Sequence, residues 1–264
     1  MENIIKYPRT HHIEGSRLQP GDEDLDSIPF SSVADRYLVI EEKVDGANTA
    51  ISFSPDGQIL LQSRGHFLTG GPREKHFNLF KQWAYSLSSP LWEVLGTRYV
   101  LYGEWLYAKH TVFYDYLPHY FMEYDLLDVE TLQFLSTQCR KTLLAGLPLM
   151  SVPVLFSGQL KSHKQMTQLI GHSNFIQPGH LERLRLHCRE QGLDEQRCLK
   201  ETDNSEQMEG LYIKVEEDGV VKARYKYVRA SFLTAIKNAE GHWLNRPIVP
   251  NILRPGVDLF NFSL

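Results

Sequence analysis

The chain has 264 residues, 42% of them hydrophobic and 23% charged, which is enough apolar material for a packed core and rules out a disordered tail. Lys and Arg number 28 against 32 Asp and Glu, a net charge of −4, so bulk basicity gives no case for nucleic acid and a polyanion must be held by a local patch. No apolar run reaches the roughly 18 residues of a membrane span, and the three scattered cysteines form neither a zinc pattern nor a disulfide framework, as in a reducing cytoplasm.

Met1–Pro8 has no hydrophobic signal core, so secretion is not expected. His11 and His12 follow in a segment too polar for a core strand, which reads as a surface loop. Tyr37–Glu42 is β-rich; Asn48–Phe53 and Ile59–Gln62 flank Ser54-Pro55-Asp56-Gly57-Gln58, a hairpin signal. Glu74–Ser88 has helical spacing, with Phe77, Phe80, Ala84 and Leu87 on one side, and Trp83, Trp92 and Phe80 read as core. Arg98–Trp105 and Tyr120–Leu126 return to strand composition, and Ser136 can cap a helix over Thr137–Ala145. From Ser157 to Asn204 the texture becomes polar and helical, over Lys161–Ile170, His180–Gln191 and Asp194–Glu201. A second hairpin, Leu211–Glu216 with Val220–Val228, precedes a closing helix expected over Arg229–Asn238. Hairpins dominate, so the expectation is a single antiparallel α+β domain over 1–264 with a helical insertion at 157–204.

Glu41-Glu42-Lys43-Val44-Asp45-Gly46-Ala47-Asn48 is the most informative stretch. A lysine ending a strand before a tight bend projects toward a cleft, and it can act as a covalent nucleophile if its pKa is lowered. Alone, the four residues Lys43–Gly46 fit a solvated lysine in an ordinary turn equally well. Four later segments add weight by their order: Ser63-Arg64-Gly65, Tyr102-Gly103-Glu104-Trp105, Tyr120–Asp125, and Glu209–Lys214 followed by Arg224-Tyr225-Lys226-Tyr227. Together they place three cationic clusters and two strand-terminal carboxylates in one β-rich body.

In these five motifs, spanning Lys43 to Lys226, the sequence resembles the ATP-dependent RNA ligases, and most nearly the nick-sealing branch typified by the second ligase of T-even phages. They belong to the covalent nucleotidyltransferase superfamily, which also holds DNA ligases and capping enzymes. The resemblance implies an antiparallel-sheet nucleotidyltransferase domain of ATP-grasp-like adenylating type. It makes Lys43 the nucleophile that attacks the α-phosphate of ATP and carries AMP. It puts Glu42 at the adenine edge, Asn48 near the reacting phosphate and RNA terminus, and Arg64 on the ribose and the RNA end. It puts Glu104 on the ribose hydroxyls, Tyr124 in a stack on adenine, Glu209 near the catalytic metal, and Lys214 at the close of its strand. Arg224 and Lys226 would grip the α-phosphate, with Arg224 standing where lysine is common and offering a planar fork in place of a point charge. Asp45 stands where the phage enzyme has histidine.

The implied cofactors are ATP and Mg²⁺ or Mn²⁺, with Glu104 and Glu209 meeting the metal through water. Arg224, Lys226, Lys214 and the ion are expected to depress the Lys43 pKa. Only 38 residues follow Lys226, too few for a C-terminal OB-fold, which favours a stand-alone RNA ligase. The implied reaction joins a 3′-hydroxyl to a 5′-phosphate of RNA through enzyme-lysyl-AMP and adenylylated RNA, in RNA repair. The alternatives are a capping-type guanylyltransferase, a DNA nick ligase, and a non-catalytic nucleic-acid end-binding module.

Overall fold

The computed structural model describes residues 4–18, 22, 24–232 and 247–261. Two short strands, His11–Ile13 (β1) and Ser27–Ile28 (β2), precede the β-branched and aromatic runs Tyr37–Lys43 (β3), Ala47–Phe53 (β4) and Ile59–Ser63 (β5). A 3₁₀ turn at Pro72–Phe77 leads into helices Asn78–Ser86 (α1) and Ser88–Leu95 (α2). The one helix expected over Glu74–Ser88 is thus divided. Pro90 explains the break at Leu87: its ring is tolerated in the first turn of α2 but would collide with the Ser86 carbonyl if α1 ran on. Trp92, expected in the core, is 38% exposed and meets Phe53 edge-on, whereas Phe80 and Trp83 are fully buried.

The chain continues through Tyr99–Trp105 (β6), Phe121–Asp128 (β7), Gln133–Phe134 (β8), Thr137–Leu143 (α3), Met150–Ser151 (β9) and Val154–Gln159 (β10). The Ser136 hydroxyl caps α3 by accepting from the Cys139 N–H at 3.3 Å. Sequence texture assigns Ser157 to the helical stretch, but Ser157–Gln159 are strand, paired antiparallel with β3. The helices that follow are His163–Thr167 (α4), His180–Glu190 (α5) and Glu195–Lys200 (α6), and the last hairpin is Gly210–Glu217 (β11) with Val220–Val228 (β12). The helix expected over Arg229–Asn238 lies outside the described residues beyond Phe232.

These strands form two six-stranded sheets. The first runs β10-β3-β11-β12-β1-β2; the second runs β5-β4-β6-β7-β8, with β9 beside β7. Pairing is antiparallel except where β1 lies parallel to β12 and β2, and β9 to β7. The α+β, mainly antiparallel expectation therefore holds. His12 corrects the surface-loop reading of its segment: paired opposite Lys226, it is fully buried.

Alternation along the strands decides where each side chain goes. On the first sheet, Leu38, Ile40, Leu211, Ile213 and Val215 face outward into an apolar cluster with Met166 and Met208. On the second, Ile51, Leu101 and Trp105 pack against Phe80, Trp83 and Leu91 of α1 and α2. The layer between the sheets sets a small apolar cluster, Ala50, Val100, Tyr102 and Leu127, beside a group of buried charges. Lys214 pairs with Glu41 (2.9 Å) and Asp125 (3.0 Å), and Arg140 with Glu41 (3.1 Å) and Glu123 (2.9 Å). Only Val44, Asp45 and Gly46 join β3 in one sheet to β4 in the other. The bend after Lys43 is therefore also the crossing between sheets.

Candidate active site

Beside that crossing lies a cleft of about 930 Å³, lined from the first sheet by Lys43, Tyr212 and Lys226 and from the second by Ala47, Asn48, Ser63 and Glu104. Two glycines let the backbone close up around it. A β-carbon on Gly46 would sit 2.7 Å from both the Trp105 carbonyl oxygen and a Leu106 methyl, and one on Gly210 would collide with the Tyr227 carbonyl oxygen. Asp45 staples the bend. Its carboxylate accepts from the Thr111 and Val112 N–H groups at 2.7 and 2.8 Å, and its own N–H donates to the Tyr114 hydroxyl at 2.8 Å.

Lys43 donates to Glu209 Oε1 at 2.6 Å; Glu209 is 1% exposed, while the lysine side chain remains 22% open to the cleft. Glu104 accepts from the Gly46 N–H at 3.2 Å. Burial alone would lower the Lys43 pKa, but the Glu209, Glu104 and Asp45 carboxylates outweigh it, so the net direction is upward. Of the cations expected to depress it, Lys214 and Arg224 are held elsewhere, and the acids that face Lys43 dominate. Burial pushes the Glu104 carboxyl up to about 8, with Glu209 and Asp45 adding to the shift against the opposing pull of Lys43. Burial also lowers Lys226, against the pull of Asp22.

Of the ten residues singled out in the sequence, Lys43, Asn48, Arg64, Glu104, Glu209 and Lys226 line the cleft. Arg64 stands exposed at its rim. The other four do not line it. Glu42 neighbours Lys43 on β3, so the strand period turns it to the opposite face, where Ser173 Oγ (2.5 Å) and Asn174 Nδ2 (2.6 Å) donate to it. Lys214 is fully buried in the inter-sheet layer and donates to the Tyr124 carbonyl. Arg224 lies with its guanidinium 3.9 Å from the Phe134 ring centre and 3.6 Å from Asp125. Tyr124 lies just behind the lining: its hydroxyl accepts from Asn48, and its ring abuts those of Tyr7 and Tyr212.

Residues 36–228 match the family of RNA ligases. The chain belongs to the RNA ligase family. Among solved structures it shares its fold with Naegleria gruberi RNA ligase. An apo mutant gives 16% identity and a TM-score of 0.55 over 90% of this chain and 59% of that one. A mutant with ATP and Mn gives 16% and 0.54 over 90% and 60%. The form with PPi gives 16% and 0.53, again over 90% and 60%. This RNA ligase family chain thus spans about 60% of the length of those ligases. No curated protein matches it.

Several cleft residues of this RNA ligase family member are not evident from its sequence motifs. Tyr7 reaches in from the N-terminal segment, its hydroxyl donating to Asp125 and lying against that of Tyr212, and Thr10, His66, Glu74 and Phe77 also line the cleft. A single tyrosine before Pro8 carries no periodic signal. Tyr212 had one, since it falls on the same alternation as Lys214 within β11. Among the described residues no group of three or more His, Cys, Asp and Glu forms a metal cage. Glu104 and Glu209 still suit a hard divalent cation that keeps several waters and takes phosphate oxygens.

Proposed function

We propose that this chain is an ATP-dependent RNA ligase that takes up AMP on Lys43, passes it to a 5′-phosphate and joins that end to a 3′-hydroxyl, in RNA repair. The Lys43–Glu209 contact at the crossing of the two sheets carries the reading. It sets a lysine nitrogen at the floor of a nucleotide-sized cleft with Glu104 and Lys226 around it. In the first step the Lys43 ammonium gives up a proton to solvent, the free amine forms a bond to the α-phosphorus as the bond to the pyrophosphate oxygen breaks, and the nitrogen's second proton leaves to solvent or with the pyrophosphate. Lys226 neutralises phosphate charge, and Asn48 and Arg64 orient the nucleotide and the RNA end. A divalent cation, which Glu104 and Glu209 would hold, supplies further neutralisation and draws carboxylate charge away from Lys43. The Naegleria structures with ATP and Mn, or with PPi, support the choice of cofactors by likeness of fold.

The test is intact mass after incubation with Mg²⁺ or Mn²⁺ and either ATP or GTP, followed by sealing assays on nicked RNA and DNA. An AMP-sized adduct from ATP, absent in Lys43→Ala, with RNA sealing, is the expected result. A GMP adduct would move the reading to capping chemistry. No adduct from protein shown to arrive unadenylylated would end it.

A further inference from the structure

Behind Lys226 lies a line of buried polar groups that the adenylation chemistry above does not use. Its ammonium is paired with the Asp22 carboxylate. The same carboxylate oxygen lies 3.2 Å from His12 Nε2, and His12 Nδ1 lies 2.7 Å from Ser16 Oγ. Ser16 Oγ in turn accepts from the Val228 N–H at 2.9 Å, two residues beyond Lys226 on β12. His12 is 0% exposed, Asp22 7% and Lys226 9%.

Proton accounting gives this line one direction. A carboxylate only accepts, so His12 Nε2 carries the hydrogen that Asp22 receives, and burial, which lowers the His12 pKa, favours the neutral ring. His12 Nδ1 is then an acceptor, and the Ser16 hydroxyl donates to it. Each group fixes the next, from the backbone of β12 back to the ammonium at the end of a Lys226 side chain. β1 carries His12 in register with Lys226, so the parallel β1–β12 pairing is what assembles the line. Stability gives no reason for such an arrangement, because buried ion pairs are commonly no better than apolar packing of the same volume. A free lysine on a four-carbon stem has many rotamers, whereas a phosphate ligand needs one.

We infer that Ser16, His12 and Asp22 form a positioning chain that aims the Lys226 ammonium into the cleft, and that Asp22 and His12 are positioning residues for AMP transfer to Lys43. This rests on the reading of the cleft as an adenylation site. Asp22 also opposes the lowering of the Lys226 pKa by burial and by the nearby Lys43; the titratable groups around Lys226 are Asp22, His12, Lys43 and Glu209, with Arg9 3.5 Å from the far oxygen of Asp22.

The experiment measures the rate of Lys43–AMP formation against ATP concentration, for the full chain and for Asp22→Asn, His12→Leu, His12→Gln, Lys226→Ala and Asp22→Asn with Lys226→Ala, with thermal melting alongside. Asp22→Asn and His12→Leu are expected to slow the step about 10- to 100-fold at saturating ATP. His12→Gln, whose side-chain amide can still donate to Asp22, recovers most of it. The decisive arm is the double variant, which should be no slower than Lys226→Ala alone, because Asp22 acts only through that lysine. Additive losses, or losses that track the melting temperature alone, would make Asp22 a structural acid and overturn the inference. So would a faster reaction in Asp22→Asn, which would make Asp22 a restraint on Lys226. If Lys226→Ala is slow while Asp22→Asn is normal, the inference fails and the adenylation reading stands. If the parent chain takes up no AMP, both fall.

Discussion

Two lysines, Lys43 and Lys214, both face pairs of acids on the inner side of the first sheet, and they live in opposite circumstances. Lys214 sits in a closed layer where Lys214, Arg140 and Arg224 meet Glu41, Glu123 and Asp125, three cations for three acids. Lys43 sits where the sheets part, and there Lys43 and Lys226 face Glu209, Glu104, Asp45 and Asp22. The closed layer is balanced and buried, so it holds the sheets in register. The open one keeps Lys43 and Arg64 beside a mouth to solvent, with Glu104 and Glu209 next to it, which suits a metal and a nucleotide. The same residue types become scaffold or site according to access, a property of the assembled sheets.

The sharpest way to break this comparison is to exchange the roles. Lys43→Ala should abolish the AMP adduct, by intact mass, with a smaller loss of stability than at Lys214, since one acid and not two loses its partner; a retained adduct would move the nucleophile elsewhere. Lys214→Met should do the reverse by leaving Glu41 and Asp125 uncompensated in the interior, a loss of about 3–5 kcal/mol in denaturant unfolding. A change below about 1 kcal/mol would show the layer is not a sealed network.

Acid titration sharpens the same point. Burial would raise the Asp125 pKa, but Lys214, Arg224 and Arg140 outweigh it and hold it below the ordinary value. A depressed carboxylate contributes stability that is present above its unfolded pKa, about 3.9, and is lost as pH falls through the folded value. Lys214→Met should therefore begin acid unfolding at a higher pH than the parent, as followed by circular dichroism.

At the open site the sign is opposite. Attack needs the free amine of Lys43, whose pKa the surrounding carboxylates raise, so AMP uptake should climb as pH rises. Glu209→Gln removes the nearest carboxylate, so the midpoint of that climb should move to lower pH even as the maximal rate falls. An unmoved midpoint would mean that Glu209 does not set the ionisation of Lys43. The smallest effect is expected at the rim: Arg64→Ala should alter stability by no more than about 0.5 kcal/mol while weakening sealing of RNA ends.

Much of this was legible in the chain itself. Strand alternation in Tyr37–Lys43 and in the β11 and β12 runs and the turn residues between hairpins marked the mainly antiparallel body, because these signals are local, whereas six of the cleft residues were reached through the resemblance of the ordered motifs to a known family. The period of two also held the warning that Glu42 and Lys43 face opposite ways. The break at Leu87 was legible too, in Pro90.

What the sequence by itself determined was which stretches become strands and where a lysine, an arginine and two glutamates stand at their ends, since hydrophobic period and turn chemistry act within a few residues. Only the tertiary structure decided that β3 and β4 belong to different sheets, that Lys214 is sealed while Lys43 is open, and that His12 lies beside Lys226. Those outcomes depend on pairings such as β1 with β12 and β3 with β11, made across more than 160 residues of chain. No local pattern encodes which strand edge another will find, because burial and charge balance across the assembled sheets select the partner.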